Sequence, residues 1–460
     1  MTRQHWFALA LLALGLTACA PAGAPAPTFT LAPTLTRPAD TAAPPPAATT
    51  PARPATSTPA PTETSTPEGA GGGEAIVAAT VAPEGPAIAP LTAGQPITVT
   101  ALEMVSATAG WAVAESDAEA DSHLLTTRDG GATWRDATPP QPRDATLALG
   151  AGITFAALDA RTAWATFYDK TAGPLSVTPF IWRTTDGGQT WLASAPLDVT
   201  DAEFYSPSDL VFVDANSGWL LVHVGAGMMH DYVMLFVTRD AGLSWERVVD
   251  PFDTTENSLW QSCGKTGVDF ADAQTGWVTG DCGGVQPGAP YLFKTTDGGR
   301  TWAPVELPPP ADQLDLYQID TNACGTQAPL YLKGADIVLA VTCQDYNSGQ
   351  ALAFLYRSAD GGATWAVERL AGGFTTAAFL DPETGWILTA SPDLTESTLA
   401  QTVDGGQSLT DVKQLSWTGP LDFVDAQTGW AVAQAGEARA LVKTTDGGRT
   451  WQVITPQVAP

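Results

Sequence analysis

The stretch "TTDGGRTW" stands at residues 295–302 and recurs unchanged at residues 444–451. Near-copies stand at 127–134 ("TRDGGATW"), 184–191 ("TTDGGQTW"), 238–245 ("TRDAGLSW"), 358–365 ("SADGGATW") and 402–409 ("TVDGGQSL"). The aspartates of these boxes are Asp129, Asp186, Asp240, Asp297, Asp360, Asp404 and Asp446, at successive intervals of 57, 54, 57, 63, 44 and 42 residues. Spacing of this kind indicates a repeat architecture.

A second motif runs in phase with the boxes. It reads "FVDANSGWLLV", "FADAQTGWVTG", "FLDPETGWILT" and "FVDAQTGWAVA" in four repeats, and it is weaker in the other three. Each repeat therefore predicts one strand, a tight turn, a second strand opening at Gly-Trp, a loop, a third strand ending at the box, and a fourth strand after it. The predicted fold is all-β: a seven-bladed β-propeller of four antiparallel strands per blade over residues 96–460.

The residue types of the box indicate a structural turn. Glycines supply positive φ, and the aspartate accepts backbone N–H bonds within its own turn. The tryptophan offers a large apolar face to bury beside the next sheet. A catalytic constellation normally occurs once in a chain, so a motif present in seven copies is interpreted as scaffolding.

Together the two motifs resemble the Asp-box, or bacterial neuraminidase repeat, propellers. The paired "D-A-x-T-G-W" and "T-T-D-G-G-x-T-W" patterns are most similar to the photosystem II stability and assembly factor family, over about residues 96–456. That resemblance implies seven blades and an assembly role. The sequence departs from the pattern at Ala241, at Leu409 and in the fifth repeat, which lacks Gly-Trp. That family looks to rely on a surface patch of arginines, and this sequence has few arginines outside the boxes, their flanks and the predicted outer strands and turns, which argues against the same partner.

The N-terminal region predicts export and a tether. Residues 1–19 resemble a lipoprotein signal peptide with a lipobox, in which Cys19 becomes the lipidated residue, so we expect an extracytoplasmic protein with a lipid anchor in a bacterial membrane. Residues 20–74 are rich in Pro, Ala and Thr and predict a disordered tether. Residues 75–95 predict a linker, and "EAIVAATVA" at residues 74–82 could supply an extra outer strand.

Four cysteines follow Cys19, and they form two pairs with equal spacing. Cys263 and Cys282 are 19 residues apart, as are Cys324 and Cys343, and each pair brackets a hairpin-like stretch. Facing residues at the open end of a hairpin are close enough to bridge, so we predict two disulfides with these pairings. A four-cysteine zinc site is the alternative, but the short C-x-x-C spacing of such sites is missing.

Charge limits the class of partner. The formal net charge is -28, and residues 1–74 contribute only -1 of it. Because no basic stripe is present to neutralise phosphates, no nucleic acid is expected as a partner. We expect a monomer with neither a metal nor a cofactor.

The predicted binding face lies opposite the boxes. Strand alternation puts the boxes and the first turns of all repeats at one end, which leaves the long loops at the other end for binding. Acidic and aromatic residues in those loops are the candidates: Asp201, Tyr205, Asp253, Glu256, Trp260, Asp312, Asp315 and Tyr317. The short connection "AGGFT" (371–375) has no comparable run, so the sequence places the site toward repeats one to five.

Two functions fit such a face. The favoured one is a binding and assembly scaffold for an envelope protein. The alternative is a carbohydrate-binding or glycoside-hydrolysing surface protein, since acids with aromatic anchors also suit a glycan. A sialidase would need three arginines to clamp a carboxylate, and within the predicted propeller only Arg143 and Arg439 lie outside boxes, their flanks and predicted outer strands or turns. The sequence therefore favours a binding protein over an enzyme.

Overall fold

The computed structural model describes residues 88–116, 119–141, 150–171, 178–227, 230–253, 255, 258–282, 290–318, 322–345 and 351–460. The predicted signal peptide, Cys19, the predicted tether and residues 75–87 of the predicted linker lie outside these ranges. The described residues form thirty β-strands and one 3-10 turn, Leu316–Gln318. The fold is all-β, as predicted. Within the described ranges, no helix is long and apolar enough to cross a membrane.

We number the repeats one to seven by their boxes. Repeats one and two contain β1 (Thr98–Met104), β2 (Gly110–Ser116), β3 (Glu119–Thr127), β4 (Thr133–Asp136), β5 (Ala151–Ala157), β6 (Ala163–Asp169), β7 (Ile181–Thr184) and β8 (Leu192–Ala193). Repeats three and four contain β9 (Ser206–Phe212), β10 (Gly218–Gly227), β11 (His230–Thr238), β12 (Glu246–Val249), β13 (Gly264–Phe270), β14 (Gly276–Asp281), β15 (Leu292–Thr295) and β16 (Ala303–Pro304).

The remaining repeats follow the same order. Repeats five and six contain β17 (Asn322–Thr326), β18 (Tyr331–Lys333), β19 (Asp336–Asp345), β20 (Ala351–Ser358), β21 (Ala366–Arg369), β22 (Gly373–Phe379), β23 (Gly385–Ala390), β24 (Ser397–Thr402) and β25 (Thr410–Leu415). Repeat seven contains β26 (Leu421–Phe423), β27 (Gly429–Ala435), β28 (Ala438–Thr444) and β29 (Gln452–Ile454), and β30 (Gln457–Val458) follows it.

Within each repeat, strands adjacent in sequence pair antiparallel. Repeats two, three, six and seven each form a separate four-stranded sheet. Repeats four and five join into one nine-stranded sheet through a single pair between Asp281 and Gly325. In repeat five the first strand is split into β17 and β18, which both pair with β19.

The Gly-Trp motif follows from packing between repeats. Gly218 lies opposite Phe212 in the register of β10 and β9. A Cβ at Gly218 would lie 2.5 Å from the Phe212 ring, so only glycine lets this ring lie across the start of β10. The other side of the Phe212 ring stacks on Trp164 of repeat two, with ring centroids 3.5 Å apart. Glycine, phenylalanine and tryptophan thus form one inter-repeat contact, repeated by Trp219 on Phe270 and by Trp386 on Phe423.

The hydrophobic core lies between successive repeats. Buried residues of the described chain form seven clusters, and each cluster joins two neighbouring repeats. One of them joins repeat seven to repeat one, where Trp430 and Leu441 pack with Trp134 and Val99. Sheets that pack face to face in sequence order are the arrangement of a β-propeller.

Residues 88–95 and the C-terminal residues meet on repeat one. β30 pairs in parallel with β4 and becomes a fifth strand of that sheet. Val458 is buried and exchanges backbone hydrogen bonds with Gly94 and Gln95. Residues 88–95 of the predicted linker also lie against repeat one, with Ile88 and Leu91 buried. The described extra outer strand therefore comes from the C-terminus, and the predicted strand at 74–82 lies outside the described residues.

Both predicted disulfides are present. Cys263 bonds Cys282, and Cys324 bonds Cys343, with Cα atoms 4.2 and 4.0 Å apart. Cys324 and Cys343 face each other directly in the register of β17 and β19. The bonds close the ends of hairpins in repeats four and five, which excludes the zinc alternative for these four residues.

Candidate functional site at the loop end

Each box aspartate is fully engaged inside its own turn. Asp186 accepts hydrogen bonds from the backbone N–H of Thr190 at 2.9 Å, from its hydroxyl at 2.6 Å, and from the hydroxyl of Thr184 at 2.9 Å. All seven boxes make these three bonds, with serine replacing threonine at some positions. The bonds hold the pKa of Asp186 well below its usual range. The boxes therefore act as turns, with their carboxylates occupied.

The boxes and the first turns of the repeats share one end of the fold. Gly130 N of the first box donates to Thr108 O at 2.8 Å, and Gly447 N of the last box donates to Gln427 O at 2.9 Å. Equivalent backbone bonds occur in the five repeats between them. We call this end the turn end. The opposite end, called the loop end, contains the loops between second and third strands and the connections between repeats.

The structure separates the predicted binding residues into exposed and buried groups. Asp201, Asp253, Asp312 and Asp315 are exposed in loop-end connections, and the Trp260 side chain is 53% exposed. Tyr205 and Tyr317 are buried. Glu256 lies outside the described residues.

The two tyrosines point into the fold and are not surface anchors. The Tyr205 hydroxyl lies 2.9 Å from the Thr166 hydroxyl of repeat two, and burial raises its pKa. The Tyr317 hydroxyl bonds to that of Tyr356, which donates to Pro308 O at 2.8 Å. Each ring fixes a connection between repeats to the sheet beneath it. The prediction that these rings form part of the binding face is therefore corrected: they support it from inside.

Four exposed or half-buried aromatic side chains lie at the loop end of repeats three and four, in two groups. His230, Tyr232 and Phe252 form one group, and Trp260, which packs on Phe293, forms the other. The rings of His230 and Tyr232 stack with centroids 5.8 Å apart, and Tyr232 lies 6.1 Å from Phe252, which is 64% exposed. We call these four residues the aromatic surface. Of these four residues the sequence analysis named Trp260 as a candidate, and the pairing of β11 with residues 261–262 brings the end of β11 to this connection.

Trp260 is exposed but firmly held. Tyr291 donates its hydroxyl to Trp260 O at 2.7 Å, and the Trp260 ring meets Phe293 edge to face at 4.9 Å. The next residue, Gln261, accepts from Val233 N at 2.8 Å through its side chain. The disulfide of Cys263 follows directly along the chain. An exposed indole that packs on one ring and stands on a hydrogen-bonded backbone is a preorganised contact surface.

A charged network lies beneath the aromatic surface. Asp231 contacts His223 Nδ1 at 2.8 Å with one carboxylate oxygen and accepts from Lys265 N at 2.8 Å with the other. Burial raises the pKa of Asp231, but its bonds to His223 and Lys265 outweigh this and lower it. Lys265 donates its ammonium to three backbone carbonyls, and burial lowers its pKa to about 8. These groups are used in holding β11 against β13.

Two clefts open at the loop end of repeats five and six. The larger encloses about 550 Å³ and lies between residues 371–375, the end of β23 and the loop at 391–396. The smaller, of about 310 Å³, lies between the ends of β14, β19 and β22. Gly373, Phe374 and Thr375 line both clefts. The sequence placed the site away from "AGGFT", yet residues of this short connection line both clefts.

Buried carboxyls on first strands form a separate feature. Glu103 accepts from Ala157 N of repeat two at 3.1 Å, and Asp422 accepts from Met104 N of repeat one at 2.5 Å. Burial raises the pKa of Glu103 to about 7 and that of Asp422 to about 6. Asp269 behaves in the same way, with a pKa raised to about 7 by burial. Glu103 and Asp422 each join the first strands of two neighbouring repeats, which is a structural role.

Two kinds of residue bear on catalysis and metal binding: the arginines outside the boxes and the possible metal ligands. Arg143 lies outside the described residues, and Arg439 lies on β28 of repeat seven. Within the described ranges, no three His, Cys, Asp or Glu side chains converge in a way that could hold a metal ion.

The architecture is that of a β-propeller whose loop end exposes aromatic, acidic and neutral polar residues. No protein-family model matches the chain, and no curated protein sequence matches it. Among solved structures it is similar to polysaccharide lyase Uly1, with 10% identity, a TM-score of 0.48, and coverage of 81% of this chain and 96% of the lyase.

Two further solved structures share this similarity. The β-propeller domain of the Trilobed protease from Pyrococcus furiosus is 8% identical, with a TM-score of 0.43 over 80% of this chain and all of that domain. The GH74 enzyme of Niastella koreensis is 13% identical, with a TM-score of 0.33 over 77% of this chain. The chain spans 62% of the length of that enzyme.

Proposed function

We propose that the protein is a carbohydrate-binding β-propeller whose aromatic surface on repeats three and four contacts the glycan. The observation that carries this proposal is Trp260, whose side chain is 53% exposed while its ring packs on Phe293 and its backbone carbonyl accepts from Tyr291. An exposed aromatic side chain that is already ordered loses little conformational entropy when it binds a ligand.

The chemistry around Trp260 favours a glycan. One face of a pyranose ring carries only C–H groups and stacks on an aromatic ring, while its hydroxyls need hydrogen-bond partners at the edges. Phe252 and Tyr232 of repeat three offer a second aromatic area, and the exposed carboxylate of Asp253 and the ring of His230 offer polar groups in that part of the loop end. The proposal concerns binding and assigns no catalytic residue.

We also infer that the seven repeats close into one seven-bladed ring of the Asp-box type. Seven core clusters, one between each pair of neighbouring repeats and one between repeats seven and one, support this inference. The hydrogen bond from Trp430 to Gly130 supports it further. A closed ring would fix the loops of repeats three to six relative to one another, as a binding face requires.

Binding of the purified protein to a glycan array tests the function. We expect binding to at least one oligosaccharide, and at least a tenfold loss of affinity in Trp260→Ala. Leu314→Ala is the matched control, since Leu314 is another exposed loop-end hydrophobic residue (68%) without an aromatic ring, and it should bind as the wild type does. Absence of binding to every glycan, or equal binding by Trp260→Ala, would refute the proposal. Release of new reducing ends would show that the protein is an enzyme.

A second candidate is the envelope-protein scaffold suggested by the sequence. Leu314 is 68% exposed between the exposed carboxylates of Asp312 and Asp315, and such a pattern favours a basic protein partner with an apolar pocket. Cross-linking in the envelope, followed by the loss of one defined product in Leu314→Ala, would support this scaffold. Products unchanged by Leu314→Ala would count against it.

We propose that the protein works outside the cytoplasm, anchored through Cys19. The two disulfides support this location, because such bonds persist mainly in oxidising compartments. The Cys19→Ala variant should move from the membrane fraction to the soluble fraction. Unchanged fractionation would contradict the lipid anchor and leave the glycan-binding proposal intact.

A further inference from the structure

We propose that the larger cleft of repeat six, with the smaller cleft beside it, is a second binding site that takes an uncharged saccharide. This inference rests on the proposed function and adds a ligand class and a location that the aromatic surface does not supply. The two clefts share the wall formed by Ala351 and residues 373–375, so together they form one recess at the loop end.

Polar side chains without partners line this recess. Thr389 lines the larger cleft, and Gln327, Thr342 and Gln344 line the smaller one. None of these four side chains hydrogen-bonds to another group in the described part of the chain. They offer hydroxyl and amide groups, which both donate and accept, in the way that sugar hydroxyls require.

Another amide is already oriented by its neighbour. Gln414 accepts a hydrogen bond from the Thr398 hydroxyl at 3.1 Å through its amide oxygen, and both residues line the larger cleft. This bond holds the amide plane and leaves its NH₂ group to donate. Phe374, half-buried in the shared wall, supplies an aromatic ring beside these polar groups. A ring together with amides and hydroxyls matches one saccharide unit.

The charges of the lining exclude an acidic ligand. Among the described lining residues, Asp281 and Glu396 are the charged ones, and no lysine or arginine is present. A uronate or sulfate ester would need cationic partners and would meet two carboxylates in a protein of net charge -28. The cleft therefore selects neutral sugars over acidic ones.

Gly373 allows the cleft to be closed without disturbing the fold. Its φ lies outside the left-handed region, and an added Cβ would meet only Ala390 O, at an ordinary contact distance of 3.5 Å. Gly373→Leu should therefore fill the recess. Thr389→Val removes one unpartnered hydroxyl at almost constant volume. Thr410→Val is its matched control, because Thr410 is exposed at the other end of β25 from Gln414.

The test is calorimetric titration of the purified protein with cellohexaose, xylohexaose, mannohexaose and an oligogalacturonate, with thermal melting of each variant as the folding check. We expect at least one neutral hexasaccharide to bind and the oligogalacturonate not to bind. Gly373→Leu should weaken binding at least tenfold, Thr389→Val about threefold to tenfold, and Thr410→Val should leave it unchanged.

The outcomes separate this inference from the proposed function. If Trp260→Ala loses binding while folded Gly373→Leu and Thr389→Val bind as the wild type does, the second site is overturned and the aromatic surface is retained. Loss in the cleft variants alone would retain the cleft and overturn the role of Trp260. Preferred binding of the oligogalacturonate, or no binding of any probe, would overturn the cleft as a site for neutral sugars.

Discussion

The indole Nε1 of Trp430 donates to the carbonyl of Gly130 at 2.9 Å, and these two residues are 300 positions apart in the chain. The bond joins the last repeat to the first box. Trp219 makes the same bond to Gly298, and Trp386 to Gly447, each reaching the following repeat. A contact that is local between neighbouring repeats thus also connects the two ends of the domain.

This bond predicts a difference between two similar tryptophans. Trp430 and Trp277 are both fully buried, and each has a lysine ammonium over its ring, from Lys443 and Lys294 respectively. The Nε1 of Trp277, however, has no partner among the described residues. Trp430→Phe leaves Gly130 O without its donor, so we expect it to cost roughly 1–3 kcal/mol more than Trp277→Phe. Chemical denaturation of both variants measures the difference. Equal losses would mean that the hydrogen bond does not contribute to closure.

The C-terminal strand predicts a second effect on stability. Removing residues 457–460 deletes β30, exposes the edge of β4 and loses the buried Val458. Burial of one such side chain is worth about 2 kcal/mol, so the Tm should fall by several degrees. Val458→Thr, which keeps the backbone pairing, should cause a smaller fall. Unchanged melting of the truncated protein would contradict the role of β30.

The buried carboxyls predict a decline in stability from acidic to neutral pH. The folded pKa of Glu103 is about 7 and that of Asp422 about 6, above their usual values of 4.5 and 3.8. The folded state therefore binds these protons more tightly than the unfolded state. Their contribution is fully present below the unfolded pKa and is lost as the pH rises through 6 and 7.

Glu103→Gln tests this dependence. The amide oxygen can still accept from Ala157 N, and it has no charge to bury. The variant should melt at a higher temperature than the wild type at pH 8 and near the same temperature at pH 4.5. The same difference in melting temperature between the two proteins at pH 4.5 and at pH 8 would contradict the raised pKa. Below about pH 4 the box aspartates, whose pKa values are lowered, destabilise both proteins alike on protonation.

The disulfides predict separate effects on stability and on binding. Replacing Cys263 and Cys282 by serine should cost about 3 kcal/mol for a closed loop of this size. The same replacement of Cys324 and Cys343 should cost a similar amount. Only the first pair adjoins Trp260, so we expect it to weaken glycan binding at the aromatic surface. Chemical denaturation of the two variants measures the stability effects, and titration with a glycan measures the binding effect. An unaltered affinity in the variant without the Cys263–Cys282 bond would show that this disulfide does not support the Trp260 site.

The sequence predicts the strands and turns well because their signals are local. The boxes place seven turns, and the cysteine spacing gives both disulfides. The packing of Phe212 on Gly218 and Trp164 could not be predicted in the same way, although the motif contains these residue types, because the contact crosses between repeats.

The site was less predictable because exposure depends on neighbours. Tyr205 and Trp260 are both aromatic residues in acidic connections, yet one is buried and the other is exposed. The clefts lie beside the short connection that contains Gly373, and residue types do not show whether such a connection borders a recess.

Trp260 and Phe252 of the aromatic surface should be covered when a glycan binds. Hydroxyl-radical footprinting of the purified protein, with and without the oligosaccharide that binds most tightly, measures the accessibility of each side chain directly. We predict protection of Trp260 and Phe252, with exposed Val403 and Leu314 oxidised at unchanged rates. Unchanged oxidation of Trp260 in the saturated complex would contradict glycan binding at the aromatic surface.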